Sequence, residues 1–144
     1  MMLEVAAMLH DIGMFIRASH HQVHGHYIVS NSEIFGLHRE ELDIIAGVIR
    51  YHRKDLPSSN DISYIALQRE ERVLLLKMAA ILRVADALDR GHSQQIKTII
   101  PERKRETLIL HVGGGAKDLS LELNGLEEKA NMFLDVFGYK VVLD

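Results

Sequence analysis

Cysteine is absent from the 144 residues of this chain, which excludes disulfide frameworks, thiolate zinc sites and cysteine nucleophiles together. Any metal chemistry must therefore rest on His, Asp and Glu. No run of about eighteen apolar residues occurs, and the first residues lack the basic start and small-residue cleavage site of a secretory signal. The expectation is a cytoplasmic protein with no membrane partner. Neither sign of charge dominates, since 17 basic against 20 acidic residues leave a net charge of −3. The broad positive field of a nucleic-acid binder is missing, so nucleic acid is disfavoured as a partner and any anion must be gripped locally. What the sequence does hold is 47% hydrophobic and 26% charged residues, ordinary usage for roughly one globular domain with its own core. It also holds nine histidines, four of them within residues 20–26, and function is to be sought there first.

Periodicity separates a helical first part, residues 1–93, from a mixed tail, residues 94–144. Leu3, Ala6, Ala7, His10 and Met14 recur at three- and four-residue steps, lining one face of a short helix that Gly13 can end; His10 then faces inward. Leu42, Ile45, Ala46, Val48 and Ile49 define an amphipathic helix over residues 39–51, with Glu40, Glu41 and Asp43 near its positive end. His52 follows it directly. Residues 56–61, LPSSND, are dense in turn formers and read as a loop. From Glu70 to Leu88 the chain is apolar on nearly all sides, as expected of a helix buried by others, and Asp86 and Asp89 close it. In the tail, β-branched runs at 96–100, 107–112 and 119–123 read as three strands, with residues 101–106 a charged hairpin loop. The three glycines 113–115 suit a loop better than a nucleotide cradle, because no Lys-Ser/Thr pair follows them. Asn124 can cap a helix that Gly138 stops, and residues 139–143 form a last strand. The expected fold is thus mostly α, a helical bundle followed by a small β-β-β-α-β unit packed on it.

The chemistry gathers at His10, Asp11, His24, His52 and Asp86, which converge only if helices bundle around a shared centre. All are donors of the kind that bind zinc, manganese, iron or magnesium, and a carboxylate at the end of a buried helix needs a cation, a hydrogen-bond cage or a proton. Plainer readings stand beside this one. The histidines of residues 20–26 suit a solvated loop, Asp86 has Arg83 and Arg90 at ion-pair spacing on its own helix, and His52, Arg53 and Lys54 suit a basic helix terminus.

The order His-Asp, His, His, Asp on helices resembles the HD superfamily of metal-dependent phosphohydrolases. Longer strings, AAMLHDIG at 6–13, HGHYIV at 24–29, RYHRK at 50–54 and LRVADALDR at 82–90, are similar to the C-terminal region of the exopolyphosphatase and guanosine pentaphosphate phosphatase family, as are DLSLE at 118–122 and FLDVFG at 133–138. The resemblance implies an HD-type bundle in which His10, Asp11 and Asp86 match metal-ligand positions, while His24 and His52 match extra histidines that admit a second metal. Among the clustered histidines His24 is chosen by its register in the family string, a choice that fails if His20, His21 or His26 points at His52 while His24 faces solvent. The usual histidine on a helix ahead of the His-Asp pair has no counterpart, nor do the glycine-rich phosphate loops of the family's actin-like domain, so the chain is expected to correspond to the C-terminal portion. The implied activity is hydrolysis of phosphate esters, nucleotides or polyphosphate with one or two divalent metal ions, in which Asp11 takes part and Arg50, Arg53 and Lys54 hold the phosphate. The alternative is a non-catalytic polyphosphate-binding or dimerisation module. A second copy of the chain or a separate actin-like phosphatase domain are the protein partners this implies.

Overall fold

The computed structural model of the chain describes residues 1–115 and 118–144 and is mostly helical with a small three-stranded sheet. Its elements run α1 (Met2–Leu9), a short 3-10 turn (Ile12–Phe15), α2 (His21–Ser30), α3 (Arg39–Tyr51), α4 (Ile62–Ile65), α5 (Arg69–Leu88), β1 (Thr98–Lys104), β2 (Thr107–Gly113), α6 (Ser120–Lys129), α7 (Asn131–Phe137) and β3 (Lys140–Leu143). The chain divides into two compact units, Met1–Leu82 and Arg83–Asp144. Among the described residues no helix is long and apolar enough to cross a membrane.

The first unit is built on α3. Its N-terminus carries a capping box, in which the Glu41 carboxylate accepts the His38 N–H at 2.8 Å and satisfies an otherwise unpaired donor at the positive end of the helix. Ile45, Ala46, Val48 and Ile49 on this helix are fully buried, with Ala6, Val29, Leu75 and Ala79. Beyond the helix, residues 52–61 are irregular, as the turn-forming string predicts, and Asp61 then caps α4 by accepting the Tyr64 N–H. One expectation changes here. Helix α5 is not buried all round, because Val73, Leu74 and Ile81 are exposed.

In the second unit the sheet order is β1-β2-β3, with β1 antiparallel and β3 parallel to β2. Leu110, Leu126 and Val141 bury together with Val84, Ala87 and Leu88. Two expectations are corrected. Strand β1 runs through Pro101 to Lys104, leaving only Arg105 and Glu106 for the hairpin turn; proline is tolerated because β1 is an edge strand. The third expected strand, residues 119–123, is instead the start of α6, so the unit is β-β-α-α-β. Leu119, Leu121 and Leu123 alternate as a strand would. Yet Asp118 accepts the Ser120 N–H at 2.9 Å, which holds its carboxyl below the usual range, and strong helix formers follow. The residues that bury are Glu122, Gly125, Leu126 and Lys129, a helical i, i+3, i+4, i+7 set.

Lys129 is there because its ammonium meets the Asp86 carboxylate across the unit, with both side chains largely buried. Asp86 thus pairs with Lys129, while Arg90, one of its expected helix partners, binds Glu128 at 2.9 Å. Breaking a buried pair leaves a charge in low dielectric, so Lys129→Met is expected to lower unfolding free energy by about 3 kcal/mol in urea titrations followed by circular dichroism.

A second electrostatic device crosses the open face of the sheet. His111 on β2 donates from Nε2 to Glu102 at 2.8 Å and from Nδ1 to Asp144 at 2.6 Å. Both ring nitrogens act as donors only in the imidazolium, so these bonds raise the His111 pKa above the ordinary value of 6.5. A raised folded-state pKa means that the stabilisation is complete below the unfolded-state value and is lost as pH climbs through the folded one. His111→Gln should accordingly destabilise the protein more at about pH 6 than at about pH 9, read from thermal melts at the two values; an equal effect at both would refute the bridge.

Candidate metal centre

Two glycines bring the polar groups together. A Cβ on Gly13 would lie 1.9 Å from the His21 carbonyl oxygen and 2.5 Å from the Gly25 nitrogen, so only glycine lets the turn after His10 and Asp11 pack on α2. A Cβ on Gly25 would meet Ile49 Cγ2 at 2.8 Å, so α2 approaches α3 at that point. One turn away from this contact, back along α2 and onward along α3, stand His21 and His52.

These two imidazoles meet. His21 Nε2 lies 3.3 Å from His52 Nε2 and 3.2 Å from Asp11 Oδ1, and His10 Nε2 lies 3.4 Å from Asp11 Oδ2. His21 and His52 are buried, whereas the Asp11 side chain is 37% exposed. The His10 and His52 rings are edge to face with centroids 5.2 Å apart.

The remaining ring nitrogens face backbone carbonyls. Nδ1 of His10, His21 and His52 faces the carbonyl oxygens of Ala7, Ala18 and Ile49 at 2.6, 3.2 and 2.6 Å. A carbonyl only accepts, so each Nδ1 carries a hydrogen and each ring turns its Nε2 toward the cluster, where a neutral imidazole presents a lone pair. Two lone pairs 3.3 Å apart beside a carboxylate call for a shared proton or a cation. Three donors, from Asp11, His21 and His52, lie within 4.8 Å of one another. A tetrahedral ion with ligands at about 2.0–2.1 Å separates its donors by about 3.3 Å, the spacing of His21 from His52 and from Asp11. The donor set fits a borderline divalent metal, and the carbonyl bonds behind the rings are the outer-shell contacts that such ligands use.

Of the expected site residues, His10, Asp11 and His52 are brought together. His24 is half-buried and lies outside this group, and the histidine directed at His52 is His21. The signal available was Gly25: a glycine inside a helix marks a close crossing, and His21 lies one turn before it. Asp86 belongs to the second unit, on Lys129. Arg50 binds Asp55 at 2.8 Å, and Asp55 also accepts from Gln22 at 3.1 Å. Arg50 borders a cavity of about 480 Å³ with His26, Tyr51, Asn60 and Asp61. Burial holds the His26 pKa down, against the pull of Asp61. Arg53 is half-buried and Lys54 exposed in the bend after α3.

The chain belongs to the Ppx/GppA phosphatase family, whose domain III it matches over residues 1–131. It is 30% identical over 83 residues to the guanosine-5'-triphosphate,3'-diphosphate pyrophosphatase of Pseudoalteromonas translucida (strain TAC 125). That match takes in 56% of this chain and spans 17% of the relative's length.

The geometry separates the histidines by role. His21→Ala and His52→Ala should each weaken zinc binding by about 100-fold or more, beyond the loss usual for outer-shell partners, in calorimetric titration, whereas His24→Ala should change it by less than a few-fold.

Proposed function

We propose that the chain is an HD-type metal-dependent phosphohydrolase domain, acting on phosphate esters, nucleotides or polyphosphate. The observation that carries this reading is the convergence of His21 Nε2, His52 Nε2 and Asp11 Oδ1, with each imidazole oriented by a backbone carbonyl. In this reading Asp11, His21 and His52 hold one divalent ion and His10 supports Asp11. Such an ion, when bound, acidifies water and polarises a phosphoryl oxygen. The chain's own residues supply the rest. The buried imidazoles keep a fixed donor geometry, so no reorganisation is needed as charge develops. Asp11 is the solvent-facing member of the group and the one placed to take a proton from water. Arg50, steadied by Asp55, borders the cavity, and with Arg53 and Lys54 it is the basic set that would hold a phosphate.

A second reading is supported by the match to a single domain of a larger relative: a non-catalytic module that binds polyphosphate, or pairs with a second copy or with an actin-like phosphatase domain. Cytoplasmic location goes with either reading.

Elemental analysis of protein purified without chelator or histidine tag is the deciding measurement. The expected result is about one transition-metal ion per chain; its removal should lower Tm by about 5–10 °C through loss of ligand linkage, and re-addition should restore it. Hydrolysis of p-nitrophenyl phosphate and of tripolyphosphate should follow the metal and vanish in Asp11→Asn. Metal without hydrolysis would transfer the assignment to the binding module, and absence of both metal and thermal response would overturn the metal centre.

A further inference from the structure

A second cavity of the first unit, about 450 Å³, is walled by α2, α3, α4 and the start of α5. None of His10, Asp11, His21 and His52 lines it. Its floor is a close helix contact. A Cβ on Gly47 would lie 2.3 Å from Leu75 Cδ1, so α3 and α5 touch there, and Leu67, buried like Leu75, extends the apolar surface. The volume falls within the range of about 300–1,000 Å³ in which proteins hold small organic molecules. Along α3 the cavity is faced by Glu40, Asp43, Gly47 and Tyr51, whose three- and four-residue steps put them on one stripe of the helix.

The charge of the lining decides what could enter. One guanidinium, Arg39, stands against three carboxylates, Glu40, Asp43 and Glu71, so two negative charges are left over. Arg39 is already committed, to the Asp43 carboxylate at 2.8 Å and to the Ser30 carbonyl. Glu71 accepts the Gln68 N–H at 2.7 Å through one oxygen, and among the described residues neither Glu40 nor Glu71 has an ion-pair partner. His26 completes the wall, its ring without a hydrogen bond among the described residues. Burial holds its pKa below the usual value, so at neutral pH the imidazole adds no positive charge and offers one nitrogen as an acceptor. An anion meets no uncommitted cation here, whereas a cation meets carboxylates on two different helices.

We infer that this cavity binds an aliphatic diamine, with one ammonium on Glu40 of α3, the other on Glu71 of α5, and the alkyl body over Gly47, Leu67 and Leu75. A bare metal ion is the competing cation, and the spacing of the donors tells the two apart. Among the described residues Asp11, His21 and His52 are the group of three donors close enough to share an ion, so the carboxylates and His26 of this cavity stand too far apart to chelate one. They suit a ligand that carries its charges apart and has apolar surface between them. The excess of two negative charges matches two ammonium groups, and the apolar floor gives such a ligand burial that a hydrated inorganic cation would not gain. Glu40 is exposed, so solvent screens its share of the attraction and the affinity is modest. This inference depends neither on the metal centre nor on the proposed hydrolysis.

Calorimetric titration of the full 144-residue chain with 1,4-diaminobutane tests it, with circular dichroism showing that each variant is folded. The expected Kd is about 1 mM or tighter, the same with and without chelator, and the Leu75 methyl resonances should shift on binding. Butane-1,4-diol, which has the length without the charge, and magnesium, which has the charge without the alkyl body, should each bind about tenfold more weakly or worse. For 1-aminobutane, with a single ammonium, the expected loss is about fivefold. Glu40→Gln and Glu71→Gln should each weaken the diamine by about two- to fivefold and together by about tenfold; glutamine at position 71 can still accept the Gln68 N–H as a helix cap does. No binding at about 10 mM diamine, equal affinity for the diol or the monoamine, shifts that spare Leu75, or a folded double variant that binds as wild type does would each overturn the proposal. If Glu71→Gln does not fold, Asp43→Asn decides it: the variant leaves Arg39 uncompensated in the wall, so weaker diamine binding supports the site and unchanged binding refutes it.

Discussion

The close approach of the Gly13 turn to the backbone of α2, and of Gly25 on α2 to the Ile49 side chain of α3, is the constraint on which the candidate centre depends. Gly13 sits against the first turn of α2, and Gly25 sits against Ile49 of α3. Glycine in a helix interior costs about 0.5–1 kcal/mol relative to alanine, and here that cost is offset by a crossing no other residue would permit. Had either position carried a methyl group, α2 would stand off and the imidazoles of His21 and His52, now 3.3 Å apart, would no longer share a point. The geometry of the candidate centre is therefore a property of packing first and of side-chain identity second.

The electrostatics of the site follow from that packing. Three rings each spend one nitrogen on a carbonyl of their own helical turn, which leaves no freedom to turn the lone pairs away from one another. A buried pair of acceptors beside a carboxylate is unfavourable until something positive enters. This is the converse of His111, where both ring nitrogens donate to carboxylates in the open and the imidazolium itself is the positive species. Two histidine environments in one chain thus differ: Nε2 atoms gathered around a carboxylate in one, a ring bridging two carboxylates in the other.

How much of the fold was legible depends on how many signals agreed at each segment. Helix α3 had a stripe, acidic residues at its start and a proline-bearing turn beyond it, and every signal pointed the same way. The tail was harder. At Leu119, Leu121 and Leu123 a period of two competed with the helix propensity of leucine and glutamate and with the Asp118 cap. Helix formation prevailed because the partner surface takes Glu122 and Lys129 inward, and only the three-dimensional neighbour Asp86 makes a buried lysine acceptable. That neighbour lies 43 residues away and leaves no local trace. Pro101 misled in the same manner, since proline reads as a loop unless the strand is known to be an edge.

The site was legible in kind but not in every member. His10, Asp11 and His52 share the feature that they terminate helices or turns at strings typical of the family, and the structure gathers them. His24 carried the same kind of support and is not in the group, because helical geometry, not string register, decides which of several clustered histidines meets a neighbouring helix. Residues one turn from a close glycine contact point toward the same partner, and His21 satisfies that condition through Gly25. Where histidines crowd, the glycine nearby is the better guide to the ligand, since it reports where the helices touch, and a ligand must lie within a turn of that contact to share an ion with the helix opposite.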